Sequence, residues 1–346
     1  MPETTPTTRT LRTVEQTSAD ASPTQGPRFL VTANLFGVPF GLAGLAQCWS
    51  AARDLIGAPG WPADFLWVLT AAAYLLTLTA YLSNVVRTGR SRTEMGDLTF
   101  GPFTALIFII PMMLGLALAG SAPRTGTAVF VVCLALVVVY GGWVSGQWII
   151  DQRPLLRWHP AYFLPTVAGP LVGAAGCGAL GFDRLALLLF GCGLVCWIVL
   201  GSIILVRLFT QPMLPTPLVP TLAIEVAPPA VAGNAWFLMN GNRPDTLAYL
   251  LAGYGVLMVL VQVRLIPLYV KVPFVAGMWA FAFSYAAAFT AGIRWLAAEN
   301  SPAQLPLTYC LLAAITAGFL ALAIRTVMGL VQGTFLPRLP LPASTA

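Results

Sequence analysis

Ten stretches of about 20 mostly apolar residues divide this chain, each long enough to cross a bilayer as a helix. They run at about 33–52, 64–86, 101–121, 126–150, 161–181, 184–208, 218–239, 246–270, 273–297 and 304–332. Turn chemistry supports the breaks: Ala58-Pro59-Gly60, Ser121-Ala122-Pro123, Arg153-Pro154, Gly181-Phe182-Asp183 and Asn240-Gly241-Asn242 all read as loops. Composition excludes the alternative that these stretches are the core of a water-soluble fold. Hydrophobic residues make up 58% of the 346 positions and charged residues only 9%, against roughly 25% charged in a soluble domain. Too few polar residues are present to cover such a core. The expectation is an all-α integral membrane protein of ten helices spanning 29–334, with short loops that leave no room for a soluble domain.

The ends are different in kind. Residues 1–28 are rich in Thr, Ser and Pro and lack an apolar signal-peptide core, so they read as a disordered tail. A shorter Pro-containing tail is expected over 335–346. Lys and Arg accumulate in cytoplasmic loops. Ten spans put both tails on one side, which holds Arg9, Arg12, Arg28, Arg87, Arg90, Arg92, Arg153, Arg157, Arg207, Arg264, Lys271, Arg325 and Arg338. The other side holds Arg53, Arg124, Arg184, Arg243 and Arg294. Thirteen against five places both termini in the cytoplasm. The net charge of +6 comes from these loops, and no stretch combines clustered basic residues with aromatics as a nucleic-acid site would.

Enzyme chemistry finds little to work with. One His rules against a His-based metal centre or catalytic dyads. Cys192 and Cys196 share a helix face but lack CxxC spacing, so the six Cys read as apolar filling. No Gly-rich phosphate loop follows a strand, which leaves ATP coupling unsupported. No catalytic residue, metal or cofactor is therefore expected. Transport is the remaining class, either down a gradient or coupled to an ion.

Proline placement suggests where a pathway would run. Pro39, Pro111, Pro165 and the pair Pro228-Pro229 fall inside the first, third, fifth and seventh spans. The second, fourth and sixth have no comparable interior proline. A helix-interior proline frees a backbone carbonyl and kinks the axis. Within a membrane, such freed groups must face protein or a watery cavity. Odd helices are thus expected to form an inner ring around a pore. Gly37, Gly41 and Gly44 on the first span, and Gly169, Gly173 and Gly176 on the fifth, permit close helix approach.

Several motifs carry a family resemblance. Phe36-Gly37-Val38-Pro39-Phe40-Gly41-Leu42 followed by Trp49, then His159-Pro-Ala-Tyr-Phe-Leu-Pro165, resemble the first and fifth helices of the tellurite-resistance/dicarboxylate transporter family. Gly253-Tyr254-Gly255 with Arg264-Leu-Ile-Pro267, and Trp279-Ala-Phe281-Ala-Phe283, are similar to its eighth and ninth. The matches run in order from about residue 33 to 335. The resemblance implies five helical hairpins, a pore through each subunit, a homotrimer and a bacterial inner-membrane location. It further implies that Phe283 plugs the pore at mid-membrane, a role suited to a ring that can rotate aside. The implied cargo is small anions, through a gated channel. The alternative is a proton-coupled carrier or exporter of C4-dicarboxylates or sulfite-like anions.

Two residues raise separate questions. Glu225 lies in the seventh span, three residues before Pro228, where the family pattern is apolar. A carboxylate within a membrane helix costs roughly 2–3 kcal/mol or more. Either it binds a proton or ion for transport, or it sits near the cytoplasmic mouth paired with Arg207 or Arg264. His159, beside Arg157 and Trp158, is expected to be a structural residue at the membrane interface. Trp61, Trp143, Trp148, Trp158 and Trp295 near span ends read as interfacial anchors.

Overall fold

The computed structural model describes residues 31–88, 97, 99–299 and 302–336. The 1–28 tail and all of the 335–346 tail beyond Leu336 lie outside the described residues, as do Arg9, Arg12, Arg28, Arg90, Arg92 and Arg338. Ten helices are long and apolar enough to span a membrane, and no strand occurs among the described residues. They are α1 (Ala33–Ile56), α2 (Trp61–Arg87), α3 (Gly101–Ala119), α4 (Pro123–Asp151), α5 (Pro160–Ala179), α6 (Asp183–Thr210), α7 (Thr216–Met239), α8 (Thr246–Tyr269), α9 (Ala276–Ala298) and α10 (Gln304–Val331).

Each odd helix packs on the even helix that follows it, which gives five hairpins. The odd helices also pack on one another in a closed ring, α1 to α3, α3 to α5, α5 to α7, α7 to α9 and α9 back to α1. Burial follows the same division. Within their most apolar windows the odd helices bury 56–89% of residues and the even helices only 17–39%. Composition explains this. Odd helices are rich in Gly, Ala and Pro, which let backbones approach where no lipid is available. Even helices present Leu76, Val139 and Phe209 outward, all more than two-thirds exposed. A membrane of hydrocarbon is the solvent such a surface requires.

The odd helices share a second property that proline counting captures only in part. Each starts with tightly wound turns before becoming α-helical. The 3₁₀ segments are Ala33–Phe36 in α1, Gly101–Ala105 in α3, Pro160–Tyr162 in α5, Thr216–Val226 in α7 and Ala276–Trp279 in α9. In α5 a π-helical turn, Leu164–Ala168, follows. The even helices are α-helical throughout. Prolines cluster at these changes of winding. Pro39 lies in the first turn of the α-helical part of α1, Pro165 in the π turn, and Pro228-Pro229 just inside the α-helical part of α7. There the missing N–H costs little, because that donor lacks a regular partner anyway. Only Pro111 stands well inside an α-helical segment of an odd helix.

The tightest ring contact is between α1 and α9. A Cβ built on Gly41 would fall 2.6 Å from the Ala282 Cβ, and one on Gly44 would fall 3.0 Å from Cδ2 of Phe283. Side chains at these two positions would push the helices apart. At the far end of the chain Phe335 is 6% exposed, its ring against Phe274 with centroids 6.2 Å apart.

Outside the membrane, Asp245 organises the α7–α8 turn. Its carboxylate accepts from the Ala248 amide at 3.0 Å, capping α8, and from the Trp236 indole at 2.9 Å. The Ala248 N–H above all, with help from the indole, holds the Asp245 carboxyl below its ordinary range. A group whose acidity is strengthened by folding stabilises the fold above its unfolded pKa, and that stabilisation is lost as pH falls through the folded value. Asp245→Ala is expected to cost about 1 kcal/mol at neutral pH, as loss of an N-cap does. In detergent melting curves the difference from wild type should shrink as the pH is lowered through the acidic range.

Candidate functional site

All five odd helices contribute to one internal cavity. Its wall includes Asn34, Gly37 and Phe40 of α1, Phe103 and Leu106 of α3, Phe163, Leu164 and Val167 of α5, Ile224, Ala227 and Pro228 of α7, and Trp279, Ala280, Phe283 and Ser284 of α9. About 40 Å³ is open to the centres of water molecules, which is room for only a few waters. No lining side chain is ionisable. The polar ones are internally engaged: Asn34 accepts from the Thr32 hydroxyl at 2.5 Å, and the Ser284 hydroxyl donates to the Ala280 carbonyl at 2.9 Å.

Phe283 is 4% exposed and lies against Phe40, ring on ring, with centroids 3.7 Å apart and planes 14° from parallel. The sequence accounts for the arrangement. Phe40 and Gly44 are one turn apart on α1, so a flat surface of ring and bare backbone faces α9. Phe283 is the residue of α9 that meets it.

Four residues singled out from the sequence come together here or beside it. Gly37, Pro228 and Phe283 line the cavity, and Gly41 sits behind it against Ala282 and Trp279. Others lie elsewhere in the structure. Phe36 is fully buried against Tyr74 and Tyr81 of α2, at centroid distances of 6.1 and 5.5 Å. Gly169 faces Val137 of α4. Phe281 points to α8, edge-on to Tyr269 at 4.8 Å, because it lies two residues, and so about 200°, from Phe283. Pro39, Pro111 and Pro165 shape the helices without lining the cavity. Phe40, Phe103, Phe163 and Trp279 complete an aromatic wall that the proline pattern did not indicate. The Phe40 position was visible only as one more apolar residue in a glycine-rich helix.

Glu225 is 4% exposed, and it is absent from the cavity wall although its neighbours Ile224 and Ala227 are part of it. It lies on the α8 side, near enough to Tyr254 and Tyr269 to act on them electrostatically. Its Oε1 is buried without a hydrogen-bond partner. The expected pairing with Arg207 or Arg264 is not formed: ion pairs among the described residues join Arg53 to Asp54 and Asp64, and Arg153 to Asp151. Arg207 is buried too, and its Nε donates to the Leu156 carbonyl at 3.4 Å. Nearby, Gln262 donates to the Leu222 carbonyl at 3.0 Å and accepts from the Tyr269 hydroxyl at 2.6 Å, which satisfies a carbonyl in the 3₁₀ stretch.

His159, just before the start of α5, is fully buried, its ring edge-on to Tyr162 with centroids 5.0 Å apart. Trp148 is likewise buried, packed on Trp158 and Tyr162, whereas Trp61 and Trp143 are exposed as anchors would be. Arg153 donates to the Tyr162 hydroxyl at 3.0 Å, which binds the α4–α5 loop to the start of α5.

A ring of five kinked helices around a closed, uncharged lumen, sheathed by five lipid-facing helices, defines a polytopic membrane pore protein. The chain belongs to the voltage-dependent anion channel family, whose pattern matches residues 31–327. It is 30% identical over 269 residues to the tellurite resistance protein TehA homolog of Haemophilus influenzae, across 75% of this chain and 79% of that one. It is also 26% identical over 312 residues to the S-type anion channel SLAH3 of Arabidopsis thaliana. That match covers 85% of this chain and 47% of the plant protein, so the chain spans about half of the plant channel's length.

A buried carboxyl oxygen without a partner is costly, most of all where the group is ionised at alkaline pH, and an amide cannot ionise. Glu225→Gln is therefore expected to raise the melting temperature in detergent at pH 8 by a few degrees. A fall of similar size would show that the carboxylate has a favourable partner.

Proposed function

We propose that this protein is a gated pathway for small anions, closed by Phe283 resting on Phe40. The observation that carries the reading is the cavity itself, enclosed by all five odd helices and lined on one side by a stacked aromatic pair. A narrow apolar constriction of this kind blocks ions both sterically and by excluding water. Rotation of one phenyl ring removes it without disturbing the helix ring.

Anion preference is supported by what the wall leaves out. The lumen has no acidic side chain to favour cations, and no fixed cation in its wall would trap an anion. Selectivity then follows size and the cost of dehydration. A channel unblocked by one ring suits monatomic and small oxyanions better than C4-dicarboxylates. The relatives' names, a tellurite resistance protein and an S-type anion channel, agree with an anionic cargo.

A second reading makes the protein a proton-coupled carrier, with Glu225 as the proton site. Its burial without an ion pair favours it, and its place outside the cavity wall weighs against direct contact with cargo. The orientation with both termini cytoplasmic, the inner-membrane location and the homotrimer belong to the proposal as well. Cysteine-accessibility labelling of the loops and mass measurement in nanodiscs test them.

Current across planar bilayers distinguishes the readings. Phe283→Ala is expected to raise chloride and nitrate conductance at least tenfold. Phe40→Ala removes the ring on which Phe283 rests and should raise open probability, by less than Phe283→Ala. With Glu225→Gln the current should remain independent of a proton gradient. No change with Phe283→Ala, together with loss of proton-driven uptake with Glu225→Gln, would replace the channel by the carrier.

A further inference from the structure

We infer that Arg294 is an anion-recruiting residue inside the mouth of the pathway on the side of the α1–α2 loop, a role that rests on the anion reading above. Arg294 lies 11 residues beyond Phe283 on α9. At 100° per residue that is three turns and about 20°, so both side chains leave the same face of the helix, about 16 Å apart along it. The neighbours fix what this face looks at. Ile293, on one flank, is fully buried in the cluster shared with α1 and α10. Trp295, on the other, packs on Phe237 of α7 and Tyr249 of α8, with centroids 5.3 and 4.9 Å away. Arg294 therefore points between α1 and α7, the interval in which Phe283 closes the lumen three turns below.

The side chain is built as a lumen group and not as a surface one. It is half-buried, and its Nε is fully covered without any hydrogen-bond partner. Helical side chains lean toward the N-terminus of their own helix, which here brings the guanidinium back toward the gate. Asp54 of α1 acts on it through space, yet no ion pair joins them. The Asp54 carboxylate is occupied at 2.9 Å by Arg53, and that pair is 43% and 62% exposed, so water and salt screen it. The lumen wall itself holds no ionisable group, and Arg294 is the cation on the Phe283 face of α9 ahead of the constriction. Its distance from the gate matters. A cation at the mouth raises the local anion concentration without forming a deep well where the ion must pass.

The favourable placement of a cation at the C-terminal end of a helix is a purely structural role, and it predicts no effect on how current depends on anion concentration. The test separates the two. In the Phe283→Ala background, single-channel chloride current is recorded as a function of chloride on each side, with 294 as Arg, Lys or Gln. The expected result is a half-saturating chloride concentration raised about threefold or more by Arg294→Gln, only for chloride on the α1–α2 loop side, and restored by Arg294→Lys. Arg294→Cys adds a readout independent of folding. A cationic methanethiosulfonate applied from that side should increase the current and an anionic one of equal size should reduce it, with neither acting on the Phe283→Ala parent. Chloride current that saturates alike in all variants and responds equally to both reagents would overturn this inference alone. Absence of anion current with either residue at 283 would overturn the anion pathway and the role of Arg294 with it.

Discussion

Backbone hydrogen bonding in a solvent that offers none decides the layout of this molecule. An unpaired N–H or C=O exposed to hydrocarbon costs several kcal/mol. Every irregular turn must therefore be shielded from lipid, and the five helices that begin with 3₁₀ or π winding are the five that bury most of their surface. The even helices, α-helical from end to end, can face the hydrocarbon because their backbone groups pair within the helix, apart from the break at Pro267 in the last turn of α8. The closed ring of odd helices follows, and so does the cavity along its axis. Close approach at Gly41 and Gly44 then brings α9 near enough for Phe283 to lie on Phe40.

Much of this was legible in the sequence because each inner helix had to contain residues that lipid would punish. Proline at 39, 165 and 228 marked where winding changes, and glycine at 41 and 44 marked where α1 would touch a neighbour. Span positions agreed within a few residues: the first helix runs on to Ile56 rather than ending near 52, and the second, fourth and ninth begin three residues from the expected starts, at Trp61, Pro123 and Ala276. Legibility failed where the answer depended on rotation about a helix axis. Phe36, Phe40 and Phe281 are equally apolar, and nothing local distinguishes the ring that faces the lumen from those that face α2 or α8. Glu225 failed for a related reason. Its expected partners, Arg207 and Arg264, are basic and near in sequence to the same membrane face, yet Arg207 turns to the Leu156 carbonyl.

The wall of the cavity carries no charge, and Glu225 beside it is not part of that wall. Arg294 stands three turns beyond Phe283 on α9. In the proposed channel such spacing separates attracting an ion from letting it through, two demands that conflict when placed at one level.

The long 3₁₀ segment of α7 has a consequence for that neutrality. Thr216–Val226 advances about 2.0 Å per residue and turns about 120°, where an α-helix would advance about 1.5 Å and turn about 100°. Rewound as α-helix, the eleven residues would shorten by about 5.5 Å, and each would lag its present bearing by a further 20° or so. Ile224 faces the lumen and Glu225 faces α8 because the coil is pitched as it is. The absence of a negative charge from the passage is thus a property of helical pitch, and a protein with this same composition but an ordinary helix in α7 would present a different electrical interior.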